Sequence, residues 1–91
     1  MGRHFLGELA GKTILIVDDE ESIREGLRSM LQNEGVAVET ATTADDGVRR
    51  LGQKGFDVVF LDLDLPGDDG LSILPSLRRG TPPPDVVILT G

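Results

Sequence analysis

Asp18 and Asp19 follow the apolar run Thr13-Ile14-Leu15-Ile16-Val17, and Asp62 follows Val58-Val59-Phe60-Leu61. Continuous runs of this kind mark parallel strands buried on both faces, and open α/β sheets place their sites just beyond the carboxyl ends of such strands. If the two runs are neighbours, three carboxylates meet at one edge of a sheet. They repel one another strongly unless a hard cation sits among them, and Mg²⁺ suits an oxygen-rich site of carboxylates, waters and a substrate phosphate. The pattern points to phosphoryl chemistry.

The elements that must position these residues alternate along the chain. Strands are predicted over about 13–18, 36–41, 57–62 and 85–90, with helices over about 21–34, 44–54 and 70–79. The order is βαβαβαβ, an α/β class in which right-handed crossovers and a reversal of winding give a doubly wound parallel sheet. In the first helix Ile23, Leu27, Met30 and Leu31 recur at helical spacing, Arg24, Glu25, Arg28 and Gln32 fall on the other side, and Gly35 is placed to end it. That spacing assigns Ile23 and Leu27 to the core. For the second helix, Thr43 is the expected N-cap, Asp45 and Asp46 suit the first turn, and Ala44, Val48 and Leu51 form the inner stripe. The third has Leu71, Leu74 and Leu77 as an inner face, but Pro75 fits only a first turn, so the helix either starts near Leu74 or kinks.

Ninety-one residues make one domain at most, with 16 acidic and 9 basic side chains and a formal charge of −7. An acidic segment lacks the basic footprint of a nucleic-acid-binding surface, which argues against direct DNA binding. There is no cysteine, so neither a disulfide framework nor a thiolate metal site exists, in keeping with a cytoplasmic location. The longest apolar run is too short to span a bilayer, and the start, Met1-Gly2-Arg3-His4-Phe5-Leu6, reads as part of a short arm over 1–11 ahead of a domain over 12–91. His4 has no partner motif and reads as a bystander. Thr81-Pro82-Pro83-Pro84 is an extended loop leading into the last strand.

Taken together, these residues resemble the receiver domain of bacterial two-component response regulators. The acidic pair Asp18-Asp19 with Glu20 ends the first strand, Asp62 ends the third, Pro66 and Gly70 follow it at four and eight residues, and Thr90 ends the fourth, so the likeness runs from about Lys12 to Gly91. The resemblance implies a flavodoxin-like receiver fold in which Asp62 accepts a phosphoryl group from a phosphohistidine on a sensor histidine kinase or phosphotransfer protein. It implies Mg²⁺ held by Asp18, Asp19, the Asp62 side chain and the backbone carbonyl of Asp64. It also implies that Thr90 turns its hydroxyl toward the new phosphoryl group and switches a partner surface, that kinase docking involves the first helix and the loop after the last strand, and that the module is a self-catalysing phosphoacceptor, not a turnover enzyme.

Other readings compete for the same residues. An Asp-Asp-Glu run ahead of a helix is often only a cap, a lone Asp after a strand is often a turn former, and a Thr at a strand end is usually only a β-branched strand residue. The stretch through Asp62-Leu63-Asp64 also resembles the Asp-x-Asp motif of haloacid-dehalogenase-type phosphatases, but Pro66 and the pair at 18–19 do not suit that pattern. A calcium loop beginning at Asp62 fails for want of a carboxylate at its fifth position and of Glu at its twelfth, which is Ile73. A receiver-like module that binds partners without phosphorylation would be expected to lack the acidic pair or the acceptor, and both are present.

A complete receiver is expected to continue with a helix, a fifth strand carrying a phosphoryl-contacting Lys and a last helix, followed by an output domain. This sequence stops at Gly91, and Lys12 and Lys54 are wrongly placed to replace that Lys. The expectation is therefore a segment that binds Mg²⁺ with impaired switching, whose fourth strand, with Val86, Ile88 and Leu89 uncovered, favours self-association.

Overall fold

The computed structural model describes residues 9–65 and 70–89. Pro66 and Thr90, both used in the resemblance above, and His4 lie outside the described residues. Four strands, β1 (Thr13–Val17), β2 (Ala37–Ala41), β3 (Val58–Asp62) and β4 (Asp85–Leu89), form one sheet in the order β2-β1-β3-β4. All three pairings are parallel. The helices are α1 (Glu21–Gln32), α2 (Ala44–Gln53) and α3 (Leu74–Arg78), the last preceded by a 3₁₀ turn over Gly70–Ile73. This is the doubly wound, flavodoxin-like arrangement: the chain leaves β1 one way to β2 and returns past it to β3, and the winding reverses at the β1/β3 boundary.

Alternation along the strands divides the core in two. Ile14 and Ile16 of β1 with Val58 and Phe60 of β3 pack with Leu31 and Leu27 of α1, while Leu15, Val17, Val59 and Leu61 pack with Ala44, Ile73 and Leu77 on the opposite face. Ile14, Leu15, Ile16 and Val17 of β1 and Val59 and Leu61 of β3 are among the largest fully buried side chains. At roughly 1.5–3 kcal/mol per fully buried aliphatic side chain, this central pair contributes heavily to the stability of the sheet. Leu9, assigned by sequence to the arm, is 6% exposed and joins the α1-side core, and the Gly11 N–H donates to the Gly35 carbonyl at 3.0 Å.

The inward face of α1 departs from the sequence expectation. Leu31 is buried and Leu27 half-buried, but Ile23 and Met30 are 43% and 46% exposed. Arg24 and Arg28 are turned inward instead, because polar acceptors wait for them: the Asp18 carbonyl for Arg24 and Thr40 Oγ1, at 2.8 Å, for Arg28. The helix is rotated so that 24, 27, 28 and 31 form its inner stripe. Gly35, with φ of 79°, lies at the turn leading out of α1, in the left-handed region that glycine adopts without strain. Thr43 caps α2 by accepting from the Asp46 N–H at 3.1 Å. Pro75 falls in the first turn of α3, so the helix starts at Leu74 and does not kink. Leu77 is buried there and Leu74 half-buried, whereas Leu71, in the 3₁₀ turn, is 49% exposed.

Candidate functional site

Register brings the acidic residues together. Val17 pairs with Leu61, so Asp18 and Asp62, each one residue further, leave the sheet side by side at the carboxyl ends of β1 and β3. Carboxylate oxygens of Asp18, Asp19 and Asp62 lie within 4.8 Å of one another. Asp18 and Asp62 are 3% and 8% exposed and form the floor of the cluster; Asp19 is exposed at its lip.

One local device orients both buried carboxylates. Asp18 Oδ1 accepts from the Glu20 N–H and Asp62 Oδ1 from the Asp64 N–H, each at 2.8 Å. These are Asx turns, in which a short side chain bonds to the backbone two residues on. Each engages one carboxylate oxygen in holding its loop. Glu20, at the N-cap position of α1, makes no side-chain cap bond, so the acidic run does not act as an ordinary helix cap. Asp64, placed by sequence among the metal ligands through its carbonyl, is exposed, and its N–H serves the Asp62 carboxylate.

The electrostatics are those of a site that wants a cation. Burial is the largest influence on Asp18 and pushes its carboxyl above the usual range; the Glu20 N–H opposes this, and the nearby Asp62, Asp19 and Glu20 carboxylates add to the rise. Among the described residues no Lys or Arg forms an ion pair with any of the three, whereas Glu25, Glu39 and Asp46 are all paired. Lys54, one of two lysines that sequence reasoning kept away from the site, pairs with Glu39 at 2.8 Å and stands over the Phe56 ring. An all-oxygen set on a buried floor, with no ion-pair partner among the described residues, fits a hard divalent cation.

Two glycines shape the site: Gly70, already part of the resemblance, and Gly47, which sequence reasoning missed. A Cβ at Gly70 would lie 2.6 Å from the Asp62 carbonyl oxygen and 2.7 Å from Leu63 Cα, so the 3₁₀ turn rests directly on the backbone that presents Asp62. A Cβ at Gly47 would lie 2.9 Å from Ile73 Cδ1 and 3.2 Å from Val17 Cγ2, which lets α2 approach the end of β1. The signal for Gly70 was its eight-residue spacing from Asp62; Gly47 had none.

The family model for the response regulator receiver domain matches residues 14–91. The chain belongs to this family. A transcriptional regulatory protein, PmrA of Pectobacterium parmentieri, is 40% identical over 78 residues, covering 86% of this chain and 35% of PmrA. The chain thus spans about a third of that relative's length, and 17% of the alginate biosynthesis regulator AlgB of Pseudomonas aeruginosa. Among solved structures, a response regulator from Burkholderia pseudomallei with a phosphorylated aspartic acid and a calcium ion matches with a TM-score of 0.81 at 32% identity, covering 88% of this chain and 47% of that one. The Mg²⁺–BeF form of Thermotoga maritima TrrA, a response regulator protein also solved with the histidine kinase ThkA, matches with a TM-score of 0.77 at 35% identity, covering 87% of this receiver and 69% of TrrA. As a receiver domain the chain is a signalling module, and Asp62-Leu63-Asp64 is part of a receiver strand end, not a phosphatase motif. Among the described residues no helix is long and apolar enough to cross a membrane.

Proposed function

We propose that this receiver accepts a phosphoryl group on Asp62, with Mg²⁺ held by Asp18, Asp19 and Asp62, and passes the resulting charge to a partner surface. The observation that carries this is the convergence of three carboxylates, without an ion-pair partner among the described residues, at the winding reversal of the sheet. The phosphorylated aspartate of the Burkholderia pseudomallei relative and the Mg²⁺–BeF complex of TrrA support it.

In the proposed step a carboxylate oxygen of Asp62 attacks the phosphorus of a phosphohistidine, an O–P bond forms as the P–N bond breaks, and the imidazole leaves. A carboxylate is a weak nucleophile but is already ionised near neutral pH, and phosphoryl transfer through a loose transition state asks mainly for positioning and charge stabilisation. Positioning comes from the buried β1/β3 pair and from the Asp64 N–H, which fixes one Asp62 oxygen. When bound, Mg²⁺ supplies the positive charge that offsets the carboxylates and the phosphoryl oxygens. The Asp64 carbonyl as a further ligand and Thr90 as the switch belong to the same proposal, as do a sensor histidine kinase as donor, docking through α1, and a cytoplasmic setting; the ThkA–TrrA complex supports the choice of partner.

Intact-mass analysis after acetyl phosphate, with and without Mg²⁺, tests the reading. One phosphoryl adduct that needs Mg²⁺ is expected; an unmodified chain under both conditions counts against phosphoacceptance.

A further inference from the structure

Arg24 takes an inward position on α1 that an apolar residue would ordinarily fill, while its neighbour Ile23 stays 43% exposed. The Arg24 side chain is only 14% exposed, and its nearest ion-pair contact, the half-exposed Glu25, is 3.9 Å away. That is too long for a hydrogen bond and too solvated to decide where a guanidinium sits. Among the described residues its one side-chain hydrogen bond is from Nη1 to the main-chain carbonyl of Asp18, at 3.0 Å.

That carbonyl belongs to the peptide joining Asp18 to Asp19, so any rotation of the peptide plane moves both carboxylates. The remaining bonds of Asp18 fix what lies on either side: its N–H donates to the Ala41 carbonyl at 3.1 Å, and its Oδ1 accepts from the Glu20 N–H at 2.8 Å. Among the described residues the Arg24 bond is the one that holds the peptide plane between them. A charge-assisted bond from a mostly buried guanidinium is among the stronger ways to hold a carbonyl.

We propose that Arg24 is a positioning residue for the carboxylate cluster: by holding the Asp18 carbonyl it sets the Asp18 and Asp19 carboxylates at the spacing a divalent cation requires, and so tunes the affinity of the site. This rests on the reading of the cluster as a cation site. The effect runs through the backbone, since Arg24 forms no ion pair with Asp18, Asp19 or Asp62.

The test is calorimetric titration of Mg²⁺ into the unaltered chain, Arg24→Ala and Arg24→Lys, together with amide hydrogen exchange in the absence of metal. Loss of a residue that orients a metal ligand typically weakens binding by about tenfold or more, and that is expected for Arg24→Ala, with Arg24→Lys recovering most of it. Without metal, the Glu20 amide should exchange faster in Arg24→Ala while the amides of Leu15 and Ile16 keep their protection. Mg²⁺ binding and Glu20 exchange both unchanged in Arg24→Ala would overturn the proposal. So would equal losses in the Ala and Lys variants with faster exchange at Leu15 and Ile16, which would mark a general structural role. An unaltered chain that binds no Mg²⁺ would overturn the cation-site reading instead, and Glu20 exchange in Arg24→Ala would still decide whether Arg24 holds the turn.

Discussion

Asp18 and Asp62 each stand one residue beyond the register partners Val17 and Leu61, and each bonds through Oδ1 to the N–H two residues further on, so two buried carboxylates are presented side by side by the same turn on adjacent strands. The Glu20 N–H offsets only part of the cost of burying Asp18 beside a second negative charge. The arrangement stores repulsion in the metal-free protein.

Asp18→Asn should therefore stabilise the metal-free chain, by on the order of 1 kcal/mol, while abolishing stabilisation by Mg²⁺. The sign follows from the raised pKa of Asp18: its contribution to stability is fully present below the unfolded-state value and is lost as pH rises through the higher folded-state value. At neutral pH the charged carboxylate is thus a cost that the Asn variant lacks. Urea unfolding with and without Mg²⁺ checks both halves; a variant less stable than the parent without metal would contradict the account.

Protons and the cation should compete for the cluster. A ligand at a hundred times its Kd stabilises by about 2.7 kcal/mol, so saturating Mg²⁺ should raise Tm measurably at neutral pH. The rise should shrink as pH falls toward the elevated pKa of Asp18. A Mg²⁺-dependent shift in Tm that stays constant from neutral pH into acid would speak against Asp18 as a ligand.

Two glycine substitutions should act in opposite directions. Gly70→Ala forces a methyl into the Asp62–Leu63 backbone, and should cost about 1–3 kcal/mol and slow acceptance of the phosphoryl group. Gly26→Ala, in the middle of α1 with nothing within 4 Å of its Cβ, should stabilise by up to about 1 kcal/mol. Chemical denaturation of both variants, with rates of adduct formation for Gly70→Ala, would show whether the 3₁₀ turn holds the acceptor.

The acid limb of stability should depend on the ion network between β2 and α2. Lys54 and then Arg50 hold the Glu39 carboxyl below its usual range, and Arg49 and then Arg50 do the same for Asp46. Depressed values contribute stability above the unfolded-state pKa that is lost as pH falls through the folded-state one, here below the ordinary 4.5 and 3.8. These side chains are partly solvated, so Arg50→Ala should cost no more than about 1 kcal/mol at neutral pH, less in high salt. It should also flatten the fall in stability below pH 4.5. An unchanged acid limb in that variant would contradict the assignment.

Much of this was legible in the sequence because the buried strands announce themselves. Ile14 to Val17 and Val58 to Leu61 are apolar without interruption, and an Asp directly after such a run has few places to go except the sheet edge. The phase of α1 was not legible. Ile23 and Arg24 are adjacent, either can lead an inward stripe through Leu27 and Leu31, and the choice is made by acceptors elsewhere, the Asp18 carbonyl and Thr40 Oγ1. Gly47 was invisible for a related reason, since its role is the room it leaves for Val17 and Ile73.

The most direct test of the central claim is to locate the phosphoryl group. Treatment with acetyl phosphate and Mg²⁺, borohydride trapping of the acyl phosphate and tandem mass spectrometry should find the reduced residue at position 62 alone, and none in Asp62→Asn. Modification at Asp18 or Asp19, or an adduct that persists in Asp62→Asn, would contradict the assignment of Asp62 as the acceptor.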